Sequence, residues 1–547
     1  MAIVKQLDKR SGLTYVYESK SYWDKEKKQA RSHRTLIGRL DPETGKVVPT
    51  DGRGKRRGMG TKSAESKVPK KRGPTPAVRT QRLFYGATYL LDRIGEKLGI
   101  TGDLRTCFPD TYKQILSLVY YLILAEGMPL YRFRTWGLLH MHPYGEDIPS
   151  QRSSEIFQGI TEEQKQHFFR LQGKRRLDKE FWAYDTTSIS SYSEILKLVK
   201  YGKNKDDDRL PQINLALLFG QDSRLPFCYR ELAGNIPDVK TLRETIDEIT
   251  SLDCGKIKYC MDRGFCSADN INLMYKDHVK FLMSASSSLS YAKDFIKEVG
   301  NEKDSYEHYN GNFGVYTFTQ TVWWDYEQKR PYKGDVLKGA RRMYIHLYYN
   351  PEKYADDAVK FNQKLDRLKA EILSGHRVAD HERLYKKYFI INETPVRGIS
   401  LAYKQDAINS ARERYGFFVL ISNEVKDPAE ALRLYRLRDV VEKAFGDLKD
   451  RLNCRRSLVS SESSLRGKLF VEFVALIYLS YVKKMMEDKG LFSKYTMPEL
   501  FDELELIECH KEPGKAVRYG EVLSKQEQIY RDLEVEPLLA KPEAIVK

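Results

Sequence analysis

FWAYDTTSIS (181–190) is an aromatic and apolar run in which Phe181, Trp182 and Tyr184 lead into Asp185 and then into a Thr/Ser cluster. It reads as a hydrophobic strand with a carboxylate at or near its end. Moving outward, QINLALLFG (212–220) and LPFCYRELAG (225–234) read as two more strands joined by the turn Gln221-Asp222-Ser223. A helix follows over 239–249. KIKYCMDRGFCSADNINLM (256–274) then repeats the strand-and-acid plan: Ile257, Tyr259 and Met261 alternate, and Asp262 stands where the strand stops. Gly264 permits a sharp turn. Ser267 is a candidate N-cap for a helix through Ile271, Leu273 and Met274. HVKFLMSAS (278–286) supplies a fifth strand.

A third acid lies far downstream in YRLRDVVEKAFGDLK (435–449). Tyr435, Arg438, Glu442 and Lys449 are spaced by 3, 4 and 7 residues. At about 100° per residue they share one stripe of a helix, roughly 21 Å long. Leu434, Leu437, Val441, Ala444, Phe445 and Leu448 take the other side and would dock it on a core. A solvated helix face with an ordinary i,i+4 pair of Arg438 and Glu442 is the bland alternative. Matching acids at two strand ends favour a site. A carboxylate flanked by two cations and a phenol can hold a metal ion against a phosphodiester backbone.

These residues resemble the DDE transposases of bacterial insertion sequences, in the group with a Tyr-x2-Arg-x3-Glu-x6-Lys signature. Tyr435, Arg438, Glu442 and Lys449 match that signature in full. Asp185-Thr186-Thr187-Ser188 resembles the strand-borne first acid, and Asp262-Arg263-Gly264-Phe265 resembles the second. Gly234-Asn235-Ile236-Pro237-Asp238 looks like the Gly-Asn-x-x-Asp segment often found between them. The likeness spans about 180–485. Two departures touch none of the acids: Arg456-Ser457 stands where Arg-Pro is frequent, and Lys468 where a His is frequent. The order of three strands, helix, strand, helix, strand agrees with a ribonuclease H-like α/β core.

Asp262 and Glu442 are 180 residues apart, against 77 for the first two acids. YEHYNGNFGVYTFTQTVWWDY (306–326), RMYIHLYY (342–349), YFIINE (388–393) and GFFVLISNE (416–424) are β-rich, with a charged helix at 350–372. A largely β insertion over 289–424 is therefore expected to interrupt the core, dividing it into 179–288 and 425–489. In related transposases such an insertion can handle a flipped base. Trp323 and Trp324 are candidates for that stacking, or else core residues.

The chain carries a net charge of +17. Residues 1–80 hold 21 Lys/Arg against 8 Asp/Glu, so most of the excess is there. GRGKRRGMGTKSAESKVPKKRGPT (52–75) lacks large apolar residues and reads as a basic flexible arm within 51–80. Arg53, Lys55, Arg56, Arg57, Lys70, Lys71 and Arg72 are its candidate DNA contacts; a merely solvated linker is the alternative. Residues 1–50 read as a small β module. Residues 81–178 are helical by pattern and are the candidate region for recognising DNA ends. Its ILSLVYYLILA (115–125) is too short to span a bilayer. Residues 490–547 read as a mixed-charge tail.

Seven cysteines contain no C-x2-C pair, which leaves zinc unsupported, and their odd number without a signal peptide points to reduced thiols in a cytoplasmic setting. No P-loop, Rossmann fingerprint or G-x-S-x-G occurs. The resemblance implies that Asp185, Asp262 and Glu442 are catalytic and bind two Mg2+ ions, for which Mn2+ can substitute; hard carboxylates suit such ions. It implies that Tyr435, Arg438 and Lys449 contact DNA. The expected substrates are double-stranded transposon ends and target DNA, handled by a homodimer in a synaptic complex. Two alternatives stand: another ribonuclease H-like nuclease, or a catalytically dead DNA-binding derivative.

Overall fold

Gln212–Gly220 is buried at every position, so this strand must lie inside a sheet covered on both faces. The computed structural model places it there. It describes residues 2–49, 80–175, 180–193, 195–203, 205, 209–252, 257–329, 336–394, 398–459, 461–512 and 514–538. The chain divides into two units, 1–77 and 78–547.

The larger unit contains a ten-stranded mixed sheet among the described residues. Its strands are β1 (Phe181–Ser191), β2 (Gln212–Gly220), β3 (Pro226–Ala233), β4 (Lys258–Met261), β5 (Lys280–Ala285), β6 (Tyr309–Asn310), β7 (Val315–Lys329), β8 (Val336–Tyr349), β9 (Phe417–Ser422) and β10 (Arg456–Ser457). The order across it is β6-β7-β8-β9-β5-β4-β1-β2-β3, with β10 beside β1. β1, β4 and β5 run parallel, while β2 and β3 follow β1 as antiparallel neighbours. Helix α1 (Asp238–Ser251) links β3 to β4, and α2 (Ala268–Lys276) links β4 to β5. Ser267 caps α2 as expected, its side chain accepting from Asn270 N at 3.2 Å.

The insertion differs from the expected largely β unit. β7 and β8 form a long hairpin, and β8 pairs with β9, which pairs with β5. These strands extend the central sheet instead of standing apart from it. Between β8 and β9 lies a smaller mixed element: helices Pro351–Leu373, Glu382–Tyr388 and Gln405–Arg412 with the hairpin Phe389–Thr394/Gly398–Tyr403. It has its own apolar core of Leu365, Leu368, Ile372, Tyr385, Tyr388 and Ile408.

After β9 come α3 (Pro428–Leu437), α4 (Asp439–Gly446), a π-turn (Asp447–Arg451) and the long helix α5 (Glu462–Asp488). α5 is apolar almost all round because the helices of 86–173 wrap it, sharing one continuous core with the sheet. Gly467 makes one of these contacts possible: a Cβ there would meet Phe157 O at 2.0 Å. The chain after 490 also differs from the expected tail. Strands Glu508–Lys511 and Arg518–Tyr519 complete a three-stranded sheet with Gln81–Phe84. Leu500, Phe501, Leu504, Ile529 and Tyr530 join the main core.

In the smaller unit, Ala2–Leu7, Thr14–Asp24, Gln29–Leu40 and Val47–Val48 form a four-stranded antiparallel sheet. Asp24 and Asp41 shape its turns, accepting from Lys27 N at 3.1 Å and from the Thr44 hydroxyl at 2.6 Å. The arm residues Arg53, Lys55, Arg56, Arg57, Lys70, Lys71 and Arg72 lie outside the described residues. No described helix is long and apolar enough to cross a membrane.

Candidate active site

Register brings the first two acids together. Tyr184 on β1 is level with Met261 on the parallel β4, so Asp185 and Asp262 are the next residues on adjacent strands. Asp185 is within β1, not at its end as the sequence suggested, because the Thr/Ser run stays in the ladder with β2 as far as Ser190. Thr186 Oγ1 donates to Asp238 Oδ1 at 2.5 Å, fixing the start of α1 beside the acid.

Glu442 and its neighbours arrive from α3 and α4, which are not one straight helix. Arg438 N bonds Tyr435 O at 3.1 Å, an i to i−3 contact that tightens the chain at the junction. The Leu434 carbonyl accepts instead from Gln221 Nε2 at 2.9 Å, in the turn between β2 and β3. A buried carbonyl at a helix end needs such a partner. This bond pins the junction over the sheet.

The side chains then converge. Arg438 Nη1 donates to Asp185 Oδ2 at 3.1 Å and Nη2 to Glu442 Oε1 at 2.6 Å. Tyr435 donates its hydroxyl to Asp262 Oδ1 at 2.9 Å. The sequence-predicted Asp185, Asp262, Glu442, Tyr435 and Arg438 thus form one cluster. Burial raises the Asp185 pKa above the usual carboxylate range, against the lowering influence of Lys205, the Thr186 N–H and Arg438. Burial opposes the Arg438 charge, yet Tyr435 and the surrounding carboxylates hold its pKa above that of an ordinary arginine. Burial and the Asp262 charge likewise push the Tyr435 phenol up. The cluster is open on one side, since the Glu442 side chain is 52% exposed.

Lys449 departs from the expected stripe. It sits in the π-turn, where the wider winding rotates it off the α-helical register. It is buried there, and its charge acts on the Cys454 thiol. Trp323 and Trp324 part company because they occupy opposite faces of β7. Trp323 is 67% exposed. Trp324 packs on the core and donates Nε1 to Asn272 Oδ1 at 2.8 Å.

Sequence reasoning missed Lys205. Its Nζ lies 3.7 Å from Asp185 Oδ1 and 3.9 Å from Asp238 Oδ2. It also donates to the Thr186 backbone carbonyl. A lysine in a polar loop gives no local signal of such a partner. Asp238 had one, in its Gly-Asn-x-x-Asp setting, but no role followed from it.

Among the described residues, no group of three or more Asp, Glu, His or Cys side chains could by itself hold a metal ion. The three acids are joined through Arg438 and Tyr435 instead. Their donors are all hard oxygens, which suits a divalent cation such as Mg2+. The Arg438 Nε is buried without a hydrogen-bond partner.

The profile described as "Transposase DDE domain" matches residues 176–479. One similar solved structure is titled "Cryo-EM structure of piggyBac transposase synaptic complex with hairpin DNA (SNHP)". It aligns at 11% identity and a TM-score of 0.33, over 76% of this chain and 70% of that one. The curated proteins contain no match. The matched segment covers more than half of the chain and contains all three acids, and the chain belongs to the DDE transposase domain family.

Proposed function

We propose that this DDE transposase is of the bacterial insertion-sequence type, binds terminal repeats, and moves DNA by cut-and-paste cleavage and strand transfer. The observation that carries the reading is the convergence of Asp185, Asp262 and Glu442 on Arg438 and Tyr435, from segments 77 and 180 residues apart. The β3-β2-β1-β4-β5 order, with only β2 antiparallel to the rest, supports a ribonuclease H-like core.

Transposases of this family typically use divalent metal. Asp185, Asp262 and Glu442 would hold two Mg2+ or Mn2+ ions, which would supply charge stabilisation for a phosphoryl transfer. Arg438 meanwhile keeps the carboxylates neutralised through its two Nη groups. Tyr435 orients Asp262 through its hydroxyl. Lys205 restrains the other oxygen of Asp185. The basic arm adds charge toward the DNA, and exposed Trp323 is the remaining base-stacking candidate. The reading places the protein in the bacterial cytoplasm on nucleoid DNA, acting on two ends as a homodimer.

The test is incubation of the full chain with Mg2+ and DNA carrying candidate terminal repeats. End cleavage followed by joining supports a transposase. Sequence-independent cutting without joining supports another nuclease, and binding without cutting supports a dead derivative.

A further inference from the structure

A cationic site lies at the end of the central strands opposite the acids. Lys258 and Lys280 are paired at the first residues of β4 and β5. Lys258 is thus roughly 13 Å along the strand direction from Asp262. Tyr344 on β8 and Leu282 on β5 both pair with Ser422, which sets Arg342 level with Lys280. A cavity of ≈ 480 Å³ opens here, lined in part by Tyr275, His278, Lys280, Arg341 and Arg342.

Its charge balance is positive. Glu424 pairs with Lys280 at 2.8 Å and with Lys258 at 3.8 Å. Asp277 and Asp325 are the other nearby acids: Asp325 is diagonal to Arg342 across the hairpin, and the charges of Asp277 and Arg341 both act on Tyr326. Arg341 and Arg342 are exposed, and no carboxylate among the described residues pairs with either. Arg342 is held over the Tyr344 ring at 5.0 Å, so its guanidinium is oriented without being neutralised. Directly across the hairpin from Arg342 stands exposed Trp323.

We infer that this cavity binds the sugar-phosphate backbone of a DNA segment other than the strand at the carboxylates. Guanidinium groups without acidic partners suit phosphate oxygens, which accept paired N–H donors. The inference rests on the transposase reading and adds a second DNA contact to it. A protein that reacts one DNA segment with another must hold both.

The test uses the full chain with Arg341→Gln/Arg342→Gln, and Lys386→Gln/Lys387→Gln as a charge-matched control on the helix Glu382–Tyr388. Both surfaces are exposed, and thermal melting checks that each variant folds. Binding to a 40-bp duplex of arbitrary sequence (about 40 bp, long enough for several phosphate contacts) is measured against salt. The arginine variant is expected to lower the slope of log K against log salt by about 2 and to weaken binding roughly tenfold. The control keeps the wild-type slope. End cleavage at saturating DNA keeps its wild-type rate in the arginine variant. An unchanged slope overturns the inference, as does lost cleavage with intact affinity. A wild-type chain that binds no DNA overturns the transposase reading and this inference with it.

Discussion

Two charged clusters flank the same segment of chain, and they are built in opposite ways. Asp185, Asp262, Glu442 and Arg438 form an open cluster, with half of Glu442 in solvent. Some thirty residues on, Glu472 in α5 is 1% exposed, with Lys468 Nζ at 3.5 Å and the Cys454 thiol donating to it at 3.1 Å. Burial raises the Glu472 pKa against the pull of Lys468, while the Glu472 charge raises that of Lys468. Burial, with Glu472 beside it, pushes the Cys454 thiol well up. Carboxylate–cation contacts therefore serve different ends in the two clusters. The closed cluster is sealed inside the protein, whereas the open one reaches solvent through Glu442.

The sharpest way to break this comparison is to neutralise the open cluster. Asp185→Asn and Asp262→Asn are expected to lower end cleavage by more than about a thousandfold, or ~4 kcal/mol in the barrier. Melting temperature and DNA affinity are expected to stay close to wild type. Measurable cleavage by either variant removes that residue from the site.

The closed cluster should respond in stability. Lys468→Met leaves a buried carboxylate without its cation and is expected to cost about 3–5 kcal/mol in denaturant unfolding. Lys468→Met/Glu472→Met is expected to recover most of that loss, because two apolar side chains carry no buried charge. A double variant no better than the single would show that the pair itself holds α5 in place.

Removing the cation of the open cluster should act differently. Arg438→Ala is expected to slow cleavage by about ten- to a hundredfold, through the lost phosphate contact. Calorimetric titration should show metal affinity unchanged or higher, since Asp185 and Glu442 lose a competing partner. A fall in metal affinity would mean that Arg438 holds the carboxylates in place, as Lys468 holds Glu472.

The smallest effect belongs to the arm. Neutralising Arg53, Lys55, Arg56 and Arg57 is expected to weaken binding to all DNA sequences alike and to flatten the salt dependence. Loss of preference for one sequence at unchanged general affinity would mean that the arm reads bases.

Local pattern carried the core well. The β2 span at Gln212–Gly220, the Ser267 cap and the placing of Asp262 just after β4 all follow from short-range chemistry. Long-range pairing was not legible. Nothing within 315–349 tells that its strands add to the sheet through β9, because edge pairing depends on residues far away in the chain. The stripe of Tyr435, Arg438 and Glu442 was visible as helical periodicity. The junction at Arg438 was not, being fixed by Gln221 more than 200 residues earlier. For the same reason Lys449 left the stripe: the π-turn that turns it inward has no sequence signature. Lys205 was invisible because a loop cation declares its partner only in three dimensions.

The central claim is that an acid from the α4 helix completes a site begun on two strands. Single-turnover end cleavage by Glu442→Gln, measured beside its DNA binding, tests this most directly. The substitution keeps the side chain's shape and removes its charge. The account predicts cleavage down by more than about a thousandfold with DNA affinity within a few-fold of wild type. Cleavage within tenfold of the wild-type rate would contradict it and leave Glu442 as no more than the surface partner of Arg438.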